Sequence, residues 1–284
     1  MKLSKIFALL LALCLISSAA CAATFTDAHG NVIELDDSIE AYAAVTLVGA
    51  DNAARQGETN LGDLWADALR WFAVSGEINA AFDEDDVKAG NDRIAVDADH
   101  VVALWNGGNL RADIAEGTFG AEALAEVLPF PNKVAVVYMT GAQLLETLEA
   151  ASQGLPYTAE TADACASLMQ VSGLTYTVDT TKAYDALEAY GDHWFTAGSV
   201  SRVRIDDVNG QPFDAEATYA VVTSNANFNG MDSSYVLKAA AEANEQSAVT
   251  TAVVRDVVFR FIAAELNHQV GEAYAAPQGR LTIL

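Results

Sequence analysis

The chain predicts an α+β fold, a single domain in which helices pack on a mixed β-sheet, with a short β-hairpin at the N-terminal side. Three observations predict it. Apolar runs of strand length end in Gly or Asn turn signals, two-residue alternation marks hairpins, and helical i, i+3, i+4 stripes are interspersed with both. Strands and helices that alternate irregularly, with hairpins among them, argue for a mixed sheet. The 284 residues suit one large domain with a small extension. The expected organisation is a signal segment at 1–22, a hairpin extension at 23–50 and the main domain at 51–284.

Residues 1–22 read as a secretory signal. Lys2 and Lys5 form a positive start, Ile6 to Ile16 an apolar run too short to span a bilayer, and Ala20-Cys21-Ala22 an A-x-A-like cleavage site. Cleavage after Ala22 is the preferred reading. Cys21 leaves lipid attachment as the competing outcome, disfavoured by Ser18 where an aliphatic residue is usual. Either outcome puts the mature protein outside the cytoplasm, and no later apolar stretch has the length of a transmembrane helix.

Residues 24–35 alternate polar and apolar on both sides of a His29-Gly30-Asn31 turn, a hairpin signal. Leu61, Leu64, Trp65, Ala68, Leu69 and Phe72 form one helical stripe, with Thr59 or Asn60 as N-cap. The start of that helix offers N–H groups that could face an anion. Residues 76–100 are acidic and irregular, and Asp83-Glu84-Asp85-Asp86 lacks the spacing of a calcium loop, so a solvated loop is expected. Thr140 and Gln143 make a capping box ahead of Leu144 and Leu148. Residues 168–178 and 200–208 read as strands, the second ending in an Asn209-Gly210 turn. Residues 219–223 form a buried strand that leads into a loop over 224–234. Val253, Val257, Phe261 and Ala264 mark a helix before a closing strand at 280–284. Long loops are expected at 154–166 and 182–198.

The most informative segment is Asn106-Gly107-Gly108-Asn109-Leu110-Arg111, which ends the apolar run from Val101 to Trp105. Two glycines permit positive φ and close approach of a ligand to the backbone. Asn106 supplies a neutral donor and acceptor, and the Arg111 fork suits a phosphate or carboxylate. The turn therefore reads as part of an anion or nucleotide site.

Its neighbours extend the pattern. Arg55 precedes Glu58-Thr59-Asn60-Leu61-Gly62-Asp63-Leu64; Leu128-Pro129-Phe130-Pro131-Asn132, Thr140-Gly141, Gln170-Val171-Ser172-Gly173-Leu174 and Gly230-Met231-Asp232-Ser233 follow in that order. The set resembles the C-terminal domain of the 5'-nucleotidase / UDP-sugar hydrolase family, whose motifs are E-T-N-x-G-x-L, N-G-G-x-I-R, L-P-F-x-N, L-T-G, Q-V-S-G-L and G-G-D-G. The resemblance runs from about Arg55 to Leu284. It implies a substrate-recognition domain: Phe130 as a base-stacking aromatic, Asn132 at the base edge, Asn106, Gly107, Gly108 and Arg111 in the polar turn, Arg55 near a phosphate-directed arginine, and Asp232 on ribose hydroxyls. Stacking a base on an aromatic ring is worth about 1–3 kcal/mol.

Departures from the family pattern are equally informative. Ala226 occupies the place of the second stacking aromatic, and Phe228 is the nearest replacement. Pro131 replaces the glycine of L-P-F-G-N, Asn109 the third glycine of N-G-G-G, and Met231 and Ser233 two glycines of G-G-D-G. Full-length members carry an N-terminal metallophosphoesterase domain with two metal ions, which needs clustered His, Asp and Asn ligands. Of the four histidines, His29, His100, His193 and His268, none shares a short motif with another, and Asp27-Ala28-His29 reads as a hairpin turn. No cofactor or metal site is expected.

Net charge bounds the partners. Loss of Lys2 and Lys5 moves it from −24 to −26, and such an acidic chain does not bind nucleic acid backbones non-specifically. After cleavage Cys165 is the remaining thiol, expected to be a small buried apolar residue. Three functions stay open: a secreted nucleotide- or nucleoside-binding domain, the substrate half of a split nucleotidase with a separate metallophosphoesterase chain, and a scaffold without ligand.

Overall fold

A computed structural model describes residues 24–26, 32–34, 40–82 and 96–284, with side chains from Glu40 onward. The signal segment, Cys21, the His29-Gly30-Asn31 turn and the Asp83–Asp86 run lie outside the described residues. The chain divides into two units, Met1–Glu40 and Ala41–Leu284. In the first, β1 (Thr24–Thr26) pairs antiparallel with β2 (Val32–Glu34), Phe25 opposite Ile33. The second unit begins at Ala41, ahead of the boundary expected at 51, because β3 (Ala41–Ala43) is hydrogen-bonded within it.

The second unit is built on a five-stranded mixed sheet. Its strands are β4 (Val101–Asn106), β6 (Lys133–Thr140), β7 (Met169–Ser172), β12 (Thr218–Ser224) and β13 (Ala248–Val253), in the order β13-β6-β12-β4-β7. Within this sheet only the β12–β4 pair is parallel. Strand β4 is buried throughout, and its pleat divides the core. Val101, Ala103 and Trp105 enter one cluster, Val102 and Leu104 the other. A strand buried on both faces reads as an unbroken apolar run, which is how this one appears in the sequence.

One face is covered by α2 (Asn60–Val74), which follows the short α1 (Ala53–Gln56), and by α7 (Val254–Ala264). Helix α2 buries the predicted stripe Leu61, Leu64, Trp65, Ala68, Leu69 and Phe72. Trp65 lies 6.4 Å from Trp105 across the helix–sheet contact. Thr59 is its cap, the hydroxyl accepting the Gly62 N–H at 3.0 Å. Truncating a buried leucine such as Leu64 would cost about 2–5 kcal/mol. The other face is covered by α4 (Gly141–Ala151), with the predicted Thr140–Gln143 capping box, and by α6 (Tyr235–Ala243).

Smaller sheets complete the unit: β11-β8-β15, from β8 (Leu174–Val178), β11 (Val203–Val208) and β15 (Leu281–Ile283), and β14-β3-β5, from β5 (Gly117–Phe119) and β14 (Gln269–Val270). The expected strand over 168–178 is two strands, broken where Gly173 takes φ 80. The expected loop at 182–198 is instead a hairpin of β9 (Ala186–Ala189) and β10 (Phe195–Ala197). All four residues of β9 are exposed, so no inside–outside alternation exists to reveal it. The expected loop over 224–234 opens with a helical turn, α5 (Asn225–Phe228), capped by the Ser224 hydroxyl. Helix α3 (Ala121–Val127) is too short to establish a period.

Candidate functional site

Strand β4 carries Asn106 to its end, fully buried, and the tight 3-10 turn Gly107–Asn109 follows. Neither glycine adopts positive φ. A Cβ on Gly107 would lie 1.9 Å from the Ala54 carbonyl oxygen, and one on Gly108 2.6 Å from the Ala166 methyl. The two glycines admit the backbones of α1 and of the 164–167 turn. This corrects the expectation that they serve a left-handed turn approached by ligand. Asn109 likewise has no left-handed geometry; its Nδ2 donates to Asn106 Oδ1 at 2.7 Å. With that oxygen occupied, Asn106 turns its NH₂ outward and donates to Asp232 Oδ2 at 2.7 Å.

Asp232 stands in a tight turn at φ 50, followed by Ser233 at φ 64. Left-handed backbone costs about 1–2 kcal/mol for most non-glycine residues and less for Asp, whose side chain bonds locally. The turn is held by Met231 N–H on Ala226 O at 3.0 Å and by Asn227 Nδ2 on Ser234 Oγ at 2.9 Å. Burial pushes the Asp232 carboxyl above its usual range, opposed by the charges of Arg55 and Arg111 and the Asn106 hydrogen bond. A carboxylate partly withdrawn from water, under the charge of two guanidiniums, is the centre of the candidate site.

Arg55, on α1, acts on it through its charge. The loop from α1 to α2 is fixed by Gln170 of β7, whose Nε2 donates to Ala54 O at 3.0 Å and Gly57 O at 2.9 Å while its Oε1 accepts Thr59 N–H at 3.0 Å. Arg55 Nη1 donates to Ala162 O at 2.9 Å and lies 3.9 Å from Asp163 Oδ1. Arg111 differs. Its N–H is bound to Val127 O at 2.9 Å, but the side chain is exposed and lies with its cation 5.9 Å from the Phe130 ring centroid. Burial, then the charge of Arg55, lower the Arg111 pKa, and Asp232 opposes them.

Phe130 is 44% exposed, between α3 and β6. Asn132, two residues on, is half-buried, and its carbonyl accepts the Val254 N–H at the start of α7 at 2.9 Å. Asn225 Oδ1 accepts the Lys133 N–H at 2.9 Å, which ties the Phe130 loop to α5. Phe228 ends α5, half-buried against the second core cluster, so it is a packed wall residue and not part of a free loop. Direct contacts thus join Asn106 to Asp232 and Arg111 to Phe130, and the charges of Arg55 and Arg111 act on Asp232. Asn132 and Phe228 stand on adjoining segments. Sequence reasoning missed Asn109, Gln170 and Asn225, which hold these residues in place. A polar residue inside an apolar strand, as Gln170 is, was the available signal.

The start of α2 does not suit an anion. A cleft of about 540 Å³ opens there, lined by residues including Gln56, Glu58, Asn60 and Pro277. Thr59 already satisfies one N–H of the helix, and the neighbouring groups are the carboxyls Glu58 and Asp63. Among the described residues, no three His, Cys, Asp or Glu side chains gather so as to hold a metal ion, and no helix is long and apolar enough to cross a membrane.

Comparison with known proteins adds a lineage to this geometry. The family model of the 5'-nucleotidase C-terminal domain matches residues 40–239. The trifunctional nucleotide phosphoesterase protein YfkN of Bacillus subtilis (strain 168) is 28% identical over 188 residues, which is 65% of this chain and 10% of that protein. Among solved structures, the 5'-nucleotidase precursor of Thermus thermophilus superposes with TM-score 0.62 at 25% identity, covering 92% of this chain and 48% of that one. The NAD nucleotidase of Haemophilus influenzae shares the fold at TM-score 0.57 and 14% identity, again over 92% and 48% of the two chains. The chain thus spans about half the length of these solved structures and a tenth of the curated relative.

Proposed function

Because the chain belongs to the family of the 5'-nucleotidase C-terminal domain, we propose that it binds a nucleotide or nucleoside at the Asp232 cluster, outside the cytoplasm, without a hydrolytic centre of its own. The observation that carries this reading is the 2.7 Å hydrogen bond from Asn106 to Asp232, with Arg55, Arg111 and Phe130 around it. A carboxylate suits the two hydroxyls of a ribose, which donate charge-assisted hydrogen bonds to it. The exposed guanidinium suits the phosphate, and the exposed Phe130 ring beside it suits the base. In such a pose Phe228 forms the second wall of the base pocket and Asn132 reads the base edge. That hydrolysis lies elsewhere is inferred from the four scattered histidines.

Two guanidiniums are more than a nucleoside requires, and this favours a second reading. The domain would hold the phosphate of a substrate for a separate metallophosphoesterase chain. Calorimetry with AMP, adenosine and a UDP-sugar, with and without a divalent metal, tests both. Saturable binding of AMP, tighter than adenosine and independent of metal, is expected. The absence of binding by all three leaves the ligand-free scaffold. Metal-dependent AMP hydrolysis that persists through purification and tracks mutations in this chain would remove the non-hydrolytic reading.

A further inference from the structure

The β9–β10 hairpin touches the Asp232 turn on one side and approaches Asp163, a neighbour of Arg55, on the other. The Tyr190 hydroxyl donates to the Gly230 carbonyl at 2.7 Å. A Cβ on Gly230 would fall 2.2 Å from that hydroxyl, so the phenol fills the open side of the glycine. On the other strand the Phe195 N–H donates to Gln153 Oε1 at 2.8 Å, and Gln153 Nε2 donates to Ser233 Oγ at 2.5 Å. Gln153 thus bridges the hairpin to the residue following Asp232. The hairpin is itself held on the core side by Tyr235, whose hydroxyl oxygen accepts the Ala197 N–H at 3.0 Å and whose ring lies 5.4 Å from Tyr190. At the hairpin tip His193 Nε2 is 3.7 Å from Asp163, the carboxylate that also faces Arg55.

These contacts grip the two residues on either side of Met231-Asp232, in a turn where two consecutive non-glycine residues have left-handed backbone. Such a conformation persists only where its surroundings over-determine it. We propose that the β9–β10 hairpin is a brace that keeps Asp232 facing Asn106 and the two arginines, with Tyr190 and Gln153 as positioning residues. It rests on reading Asp232 as the ligand carboxylate. The need for a brace follows from Ser233, since a glycine there would hold φ 64 without cost.

Hydrogen exchange at the amides of residues 230–234, in the ligand-free full chain, tests the brace separately from any ligand. In Tyr190→Phe and Gln153→Ala, exchange there quickens by about fivefold or more, the ratio that one lost hydrogen bond corresponds to. The amides of β4 and α2 keep their rates. Ser233→Gly added to Gln153→Ala, where the serine hydroxyl has already lost that partner, returns the loop toward its original rate. AMP affinity, measured on the same proteins, falls in the single variants and recovers in the double. Unchanged loop exchange in both single variants, or a double that stays as mobile as Gln153→Ala, would overturn the brace. If AMP fails to bind the unmutated chain, the nucleotide reading falls, and the exchange rates still decide the brace.

Discussion

Two clusters of acid and arginine sit at different places on the same sheet, and they are built to opposite ends. Around Arg280 the guanidinium is held from several sides. Its guanidinium donates to Val171 O at 2.7 Å, Asp67 Oδ2 at 2.8 Å and Gln278 Oε1 at 2.7 Å, and Tyr274 Oη closes on Asp67 at 2.9 Å. Asp63, fully buried, accepts the Gln278 N–H at 3.1 Å, and Glu58 accepts the Leu281 N–H at 2.9 Å. This cluster clasps the C-terminal segment to α2. Around Asp232 the carboxylate is positioned as carefully, yet Arg111 is exposed and its neighbour Phe130 keeps 44% of its surface in solvent. Closed networks of this kind hold a fold together, whereas a positioned charge with donors to spare is ready for a ligand.

Mutating the arginine of each cluster should separate the two roles. Arg280→Ala leaves Asp67 without its cation in a largely buried setting, and it should destabilise the chain by about 3–5 kcal/mol in denaturant unfolding. A loss below about 1 kcal/mol would mean that the clasp contributes little. Arg111→Ala should change stability by no more than about 0.5 kcal/mol, as surface substitutions do. It should weaken AMP by about 1.5–3 kcal/mol, and adenosine by less. Equal losses for the two ligands would show that Arg111 shapes the turn and does not read phosphate.

The aromatic residues sharpen the contrast within the site. Phe130→Ala should cost about 1–3 kcal/mol of nucleotide binding with little effect on unfolding. Phe228→Ala should do the reverse, losing more stability than affinity, since its ring packs on the core. A larger affinity loss at Phe228 would make it the main stacking partner.

The clasp also predicts a pH dependence. Burial, first, and the neighbouring Glu58 carboxyl raise Asp63 from 3.8 to about 8, against the lowering influence of Arg280. Asp63 Oδ1 and Glu58 Oε1 are both enclosed without a hydrogen-bond partner, a setting that favours the protonated Asp63 carboxyl. The folded state keeps this proton up to about pH 8, whereas the unfolded chain releases it near 3.8. The folded state therefore binds more protons in that window, and the contribution to stability falls as pH rises through it. Asp63→Asn, which cannot ionise, should flatten the decline in thermal stability seen as pH rises toward about 8. An unaltered slope would place the proton on another group.

Much of the fold was legible because burial leaves a period in the sequence. The α2 stripe, the run from Val101 to Trp105 and the Thr140 capping box each announce their element locally. The β9–β10 hairpin does not, since its exposed residues carry no alternation. In the site, single residues were legible through motif resemblance, but their junction was not. Asn106 and Asp232 lie 126 positions apart, and no local pattern registers such a pair. The glycines of Asn106-Gly107-Gly108 show a further limit. Sequence identifies a place where a side chain cannot fit, but only the packed structure reveals that Ala54 and Ala166 are what exclude it.

Whether a nucleotide sits on the Asp232 cluster is decided by a crystal structure of the full chain grown with AMP. The ribose hydroxyls are expected within hydrogen-bond distance of the Asp232 carboxylate, the base against Phe130 and the phosphate at Arg111. AMP bound instead in the cleft beside Glu58 and Pro277, with the Asp232 cluster unchanged, would contradict that placement.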